Sequence, residues 1–207
     1  MKEESVTFRS GDLTLEGLLA RPSSDQPSPG AVICHPHPMY GGSMHNNVVE
    51  AILDGLWQRG YATLRFNFRG VGDSEGEYDG GEGEADDASA AVEFLKAQPG
   101  VSGAGLVLAG YSFGSMVALR RGLASKDVSR IMAVALPIGM AKFDFASASK
   151  PILMISGDSD SYSPVDGLKK LAQALGPQAR VEIIRGADHF FGGYEEEVAR
   201  RIKSELG

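Results

Sequence analysis

The chain has one cysteine, and Cys34 alone cannot close an internal disulfide. It follows Ala31, Val32 and Ile33, a setting that suits a buried core residue better than a reactive thiol. Long apolar runs are also missing. Nothing approaches a membrane span, and the opening MKEESVTFRS lacks the apolar stretch of a secretory signal, so a cytoplasmic protein is expected. Positive charge is in deficit, and the net charge of −7 argues against nucleic acid as the main partner. There is no internal repeat and no low-complexity tail. A length of 207 residues, 43% of them hydrophobic and 23% charged, suits one domain over residues 1–207, large enough for a sheet covered on both faces.

Glycine, by contrast, is abundant, and it punctuates an alternation of short apolar runs and helical patterns. Val6 to Arg9 and Leu13 to Ala20 alternate apolar and polar residues around Ser10-Gly11-Asp12, which predicts an opening hairpin. Arg21 to Gly30, with three prolines and three serines, reads as a surface loop. Strands are then expected at Ala31–His35, Ala62–Phe68, Leu106–Ala109, Ile131–Ile138, Pro151–Ser156 and Arg180–Arg185. Between and after them helices are expected at about Asn47–Arg59, Glu84–Ala97, from Met116 onward, around Leu168–Leu175 and from Tyr194 to the end. Glu196 with Arg200 and Glu197 with Arg201 are spaced for ion pairs on the last helix. Strands alternating with helices through short connections predict an α/β fold with a mostly parallel sheet, helices on both faces and an antiparallel N-terminal hairpin. Only about a dozen residues separate the strand ending near Ile138 from the one beginning at Pro151, too few for a cap or lid domain.

Two stretches match Gly-x-Ser-x-Gly, and their contexts differ. Gly110-Tyr111-Ser112-Phe113-Gly114 lies between an apolar strand and a small-residue helix, a strand-turn-helix that lifts Ser112 above the strand end. The helix N-terminus there points positive potential at the oxyanion of acyl transfer. Gly72-Asp73-Ser74-Glu75-Gly76 runs instead into the acidic loop EGEYDGGEGEADD, whose carboxylates would oppose that charge. Ser112 is therefore the expected nucleophile.

A serine hydroxyl needs a base, and the base needs an acid to fix its tautomer. In a parallel sheet such residues lie just beyond strand ends. The order nucleophile, acid, histidine selects His189 over His35, His37 and His45. Asp158 and Asp160 follow the right strand, with Asp144 and Asp166 as outsiders. Asp160 is favoured because it lies further along its loop, while Asp158 can complete a turn. Asp188 is expected to point away from the base. The amide of Phe113 is the natural first oxyanion donor. The second must come from His35-Pro36-His37-Pro38-Met39-Tyr40, where the prolines have no amide hydrogen, and His37, held between them, is favoured over Met39 and Tyr40. The histidines at 35, 37 and 45 fit zinc poorly, since no cysteine or carboxylate lies at suitable spacing, so neither metal nor cofactor is expected. Met39, Tyr40, Phe113, Met140, Phe143, Tyr162, Phe190 and Phe191 are candidate walls of an acyl pocket.

Taken together, GYSFG, RGVGDS, GDSDSYSP and GADHFF resemble the nucleophile, fourth-strand, acid and histidine loops of the α/β-hydrolase superfamily, across nearly the whole chain. HPHPMYGGSMHN, RFNFRGVGDSEGEYDGG and ADHFFGG resemble a narrower group, small lidless bacterial hydrolases related to the dienelactone hydrolases. In such acid loops the carboxylate is the fourth residue of GxxD with a proline four later, and the resemblance thus points to Asp160, with Pro164. Dienelactone hydrolases proper carry a cysteine where this chain has Ser112, so lactone specificity is not implied. What is expected is a carboxylesterase acting on a small or medium ester through an acyl-enzyme, as a monomer or homodimer. A thioesterase or peptidase with the same triad, or a non-catalytic binding module on the same fold, are the alternatives.

Overall fold

A computed structural model of the protein describes residues 1–140 and 148–207. The described residues form one eight-stranded sheet in the order β1-β2-β4-β3-β5-β6-β7-β8. β1 (Glu3–Ser10) and β2 (Leu13–Ala20) are the expected hairpin, paired Ser10 to Leu13 across a two-residue turn in which Gly11 has a φ of 58°. β2 runs antiparallel to β4 (Ala62–Phe66), and from there the pairing is parallel through β3 (Ser28–Cys34), β5 (Val101–Tyr111), β6 (Val128–Val134), β7 (Ile152–Gly157) and β8 (Ala179–Ile184).

Alternation along the central strands divides the core into two layers. Val32, Cys34, Leu106 and Leu108 face α2 (Glu82–Lys96), α3 (Phe113–Ala124) and α4 (Val165–Leu175). Ala31, Ile33, Val107 and Ala109 face α1 (Asn47–Trp57) and α5 (Glu195–Glu205). Helices therefore cover both faces, and Cys34 is a buried, free thiol. None of the described helices is long and apolar enough to cross a membrane.

Some details differ from the sequence reading. β3 begins at Ser28, inside the expected loop. Pro29 is tolerated because pairing with β4 starts only at Gly30 and the register with β5 shifts between Pro29 and Ala31, so its missing amide interrupts no ladder there. β6 stops at Val134 instead of Ile138, because Ala135 takes a φ of 50° and turns the chain out of the sheet ahead of Pro137. On α5, Arg200 joins Arg201 on Glu197 rather than reaching Glu196.

Charge is buried on α2 beside its apolar residues Ala85, Ala88, Val92 and Leu95. Asp87 is fully buried and accepts from Ser10 Oγ at 2.7 Å and from Arg69 N, Nε and Nη2 at 3.0, 3.0 and 2.7 Å. This carboxylate fastens the loop leaving β4 to both α2 and β1. Replacing it strands a guanidinium and a hydroxyl, so Asp87→Ala is expected to cost about 3–5 kcal/mol in urea unfolding. Glu82→Ala, which breaks the exposed pair with Arg120, is expected to change stability little.

Candidate active site

The site lies along the edge where β3, β4, β5, β6, β7 and β8 present their C-terminal ends. β5 ends at Tyr111, and Ser112 follows with a φ of 52° and a ψ of −119° while its amide donates to Val134 O at 2.9 Å. A non-glycine residue in this region is strained, and the strain is held by packing on either side. A Cβ on Gly110 would lie 2.2 Å from Gly114 O, and one on Gly114 would lie 2.3 Å from Cys34 O and 2.4 Å from His35 O. The two glycines thus let strand, helix and the end of β3 converge at the serine.

Ser112 Oγ is 2.9 Å from His189 Nε2, and His189 Nδ1 is 2.8 Å from Asp160 Oδ2. The other oxygen, Asp160 Oδ1, accepts from the amides of Tyr162 at 2.9 Å and Ser163 at 3.1 Å. Nδ1–H donates to the carboxylate, which leaves the Nε2 lone pair directed at the serine hydroxyl. Asp160 and His189 are only 4% and 8% exposed, so water screens this line weakly.

Other candidates go elsewhere. Asp158 Oδ1 accepts from the Gly186 amide at 2.8 Å and ties the loop after β7 to the turn after β8. Asp188 Oδ1 accepts from the Phe190 amide at 2.9 Å, a local turn. Asp166 lies in the first turn of α4, and Asp144 lies outside the described residues. Ser74 Oγ donates to Asn67 O at 2.7 Å and accepts from Glu16 N at 3.1 Å, so it staples its loop to β2. No three His, Cys, Asp or Glu side chains gather as a metal site among the described residues.

His37 caps a short 3-10 turn, Pro38–Tyr40, its Nδ1 accepting from Met39 N at 3.2 Å and its ring 5.0 Å from that of Phe113. Among the described residues, the amides of His37 and Phe113 donate to no protein acceptor. His35 anchors the same loop from below. Its Nδ1–H donates to Pro36 O at 2.6 Å and its Nε2 accepts from Phe68 N at 3.0 Å. Burial lowers its pKa to about 4. His45 is exposed.

Of the expected pocket walls, Met39, Tyr40, Met140, Tyr162 and Phe190 are 49–83% exposed, and Phe113 is buried beside the serine. Phe143 lies outside the described residues. Phe191 is a correction. With a φ of 53° it turns inward and is fully buried in the layer under α1 and α5, so it is core and lines no pocket. Two contributors went unnoticed in the sequence. Tyr78 sets its ring 4.8 Å from His37, and nothing in its acidic loop signals that. Tyr111 Oη donates to the carbonyl of His189 at 2.9 Å. A tyrosine in a strand buried on both faces must find such a partner, which was the available signal.

Comparison with known proteins agrees with the fold. The family model described as X-Pro dipeptidyl-peptidase (S15 family) matches residues 11–171. The uncharacterized protein RP471 of Rickettsia prowazekii is 35% identical over 97% of this chain and 87% of its own. An α/β serine hydrolase homologue from Coxiella burnetii superposes with a TM-score of 0.91 at 32% identity, covering 100% of this chain and 99% of that one. XC6422 from Xanthomonas campestris, described as an α/β serine hydrolase without a lid, gives a TM-score of 0.80 at 32% identity over 97% and 95% of the two chains.

The neutral His35 carries a pH dependence. Its pKa in the folded protein lies below the unfolded value of 6.5, so the unfolded chain binds its proton more tightly. The stability held above pH 6.5 is then lost as pH falls through that value toward 4, by about 3 kcal/mol at most. Urea unfolding of the wild type and of His35→Gln across this range isolates the effect. The difference between the two proteins should shrink as pH falls, and a difference independent of pH would contradict it.

Proposed function

This chain belongs to the peptidase S15 family of α/β hydrolases, and on that premise we propose that it is a serine hydrolase cleaving small carboxylic esters through an acyl-enzyme. The observation that carries the reading is the hydrogen-bonded line Ser112, His189, Asp160. In this mechanism Ser112 Oγ attacks the ester carbonyl carbon while its proton passes to His189 Nε2. The tetrahedral oxyanion is held by the unused amides of Phe113 and His37, at the N-terminus of α3. As the carbonyl re-forms, the bond to the alcohol oxygen breaks and Nε2 returns the proton to that oxygen. A water then attacks the acyl carbon, gives its proton to Nε2 and releases the acid, and the proton goes back to Ser112. Asp160 stays ionised throughout and stabilises the imidazolium.

A peptidase reading is favoured by the description of the matching family model. Esters fit the observed site better. Amide cleavage draws on binding energy from remote parts of a longer substrate. Here the candidate walls Met39, Tyr40, Met140, Tyr162 and Phe190 are all exposed, so among the described residues they offer a longer substrate little enclosure. A cytoplasmic setting fits a chain whose one thiol is free and buried. Rates on an acetate ester, an acetyl thioester and an X-Pro anilide compare the three chemistries directly, and the ester is expected to be fastest.

A fluorophosphonate probe should label Ser112, and folded protein that stays unlabelled would refute the serine mechanism. Ser112→Ala should lower kcat on an acetate ester by more than about 10⁴-fold, whereas Ser74→Ala keeps it within about tenfold. Asp160→Asn, which presents the wrong tautomer to His189, should cost about 10⁴-fold, and Asp158→Asn far less.

A further inference from the structure

The rings beside His189 stand where the alcohol half of an ester has to go. In the tetrahedral intermediate the carbon on Ser112 Oγ bears three further groups. The oxyanion faces the Phe113 and His37 amides. The leaving oxygen takes its proton from His189 Nε2 and therefore sits within hydrogen-bond reach of it, about 3 Å. The first atoms beyond that oxygen then lie beside the imidazole. Among the described residues three aromatic rings lie beside it: Tyr111 at 5.7 Å, which is buried and bonded to the His189 carbonyl, and two that reach solvent, Tyr162 at 4.8 Å and Phe190 at 5.6 Å and nearly perpendicular to the imidazole at 88°. They are 49% and 63% exposed, so neither is used up in the core.

Both rings are held by the machinery itself. The Tyr162 amide donates to Asp160 Oδ1, the carboxylate that also holds His189. The Phe190 amide donates to Asp188, and its carbonyl accepts from Asn47 Nδ2 at 3.2 Å. A second set of rings, Tyr40 of the loop after β3, Tyr78 of the acidic loop before α2 and Phe113, gathers around His37 instead. The sequence grouped Tyr162 and Phe190 with the acyl walls; their nearness to His189, which protonates the leaving oxygen, is the ground for assigning them to the other half of the substrate.

We propose that Tyr162 and Phe190 form the leaving-group subsite and select esters of flat, aromatic alcohols. This rests on the serine-hydrolase reading above. A flat ring gains from contact on one side alone, which is what an open face offers, and offset or edge-to-face packing adds to the area buried.

Ethyl acetate and benzyl acetate test this, since they share an acyl group and release alcohols of similar basicity. The wild type should show kcat/KM about tenfold or more higher on benzyl acetate, the order expected for one or two aromatic contacts. In Tyr162→Ala/Phe190→Ala that ratio should fall to within about threefold of one. The ratio of ethyl benzoate to ethyl acetate, which varies only the acyl side, should hold steady, and general damage to the site would move it. Ethyl acetate cleavage with no benzyl preference, a preference that survives the double substitution, or a change confined to the benzoate ratio would each overturn the subsite. No cleavage of any of these esters, with Ser112 unlabelled by the fluorophosphonate, would overturn the underlying function as well.

Discussion

One imidazole has to meet two oxygens at once, and most of the structure around the site serves that requirement. His189 is 2.9 Å from Ser112 Oγ and 2.8 Å from Asp160 Oδ2, and a shift of an ångström would lose one or the other. Its ring is therefore fixed from several sides. Asp160 is itself held by two backbone amides, Tyr111 bonds the His189 carbonyl from the residue before the serine, and Asn47 of α1 holds the carbonyl of Phe190. Parts of three strand ends and one helix converge on a single side chain.

The loops that bring these groups together are fastened by buried polar contacts rather than by length or disulfides. Asp87 with Arg69 and Ser10 holds the loop after β4, and Ser74 ties the same loop to β2. His35, neutral because its surroundings exclude water, bridges the loops after β3 and β4. Each of these groups costs desolvation and is stable only because every partner is present. That makes the rim of the site rigid while its apolar side chains, Met39, Tyr40, Tyr162 and Phe190, remain open to a substrate.

The legible features were those with a local signature. The period of two in Leu13–Ala20 and the caps and apolar faces of the helices need only neighbouring residues to be read. The two Gly-x-Ser-x-Gly strings could be told apart because one precedes a helix and the other an acidic loop. Long-range facts were not legible. That Asp87 sits inside α2's packed face, that Phe191 turns into the core while Phe190 stays out, and that Pro29 lies in a strand each depend on what approaches from elsewhere in the chain.

By itself the sequence determined the α/β class, the alternation of strands and helices, and the choice of Ser112, His189 and Asp160 as candidates, because residue type, periodicity and chain order are local properties. Tertiary structure alone decided which oxygen each imidazole nitrogen meets, which serine is locked as a staple, and that the rings of Tyr162 and Phe190 stand beside His189. Those depend on distances between residues from about 30 to almost 80 positions apart, and only the packing of the sheet edge sets such distances.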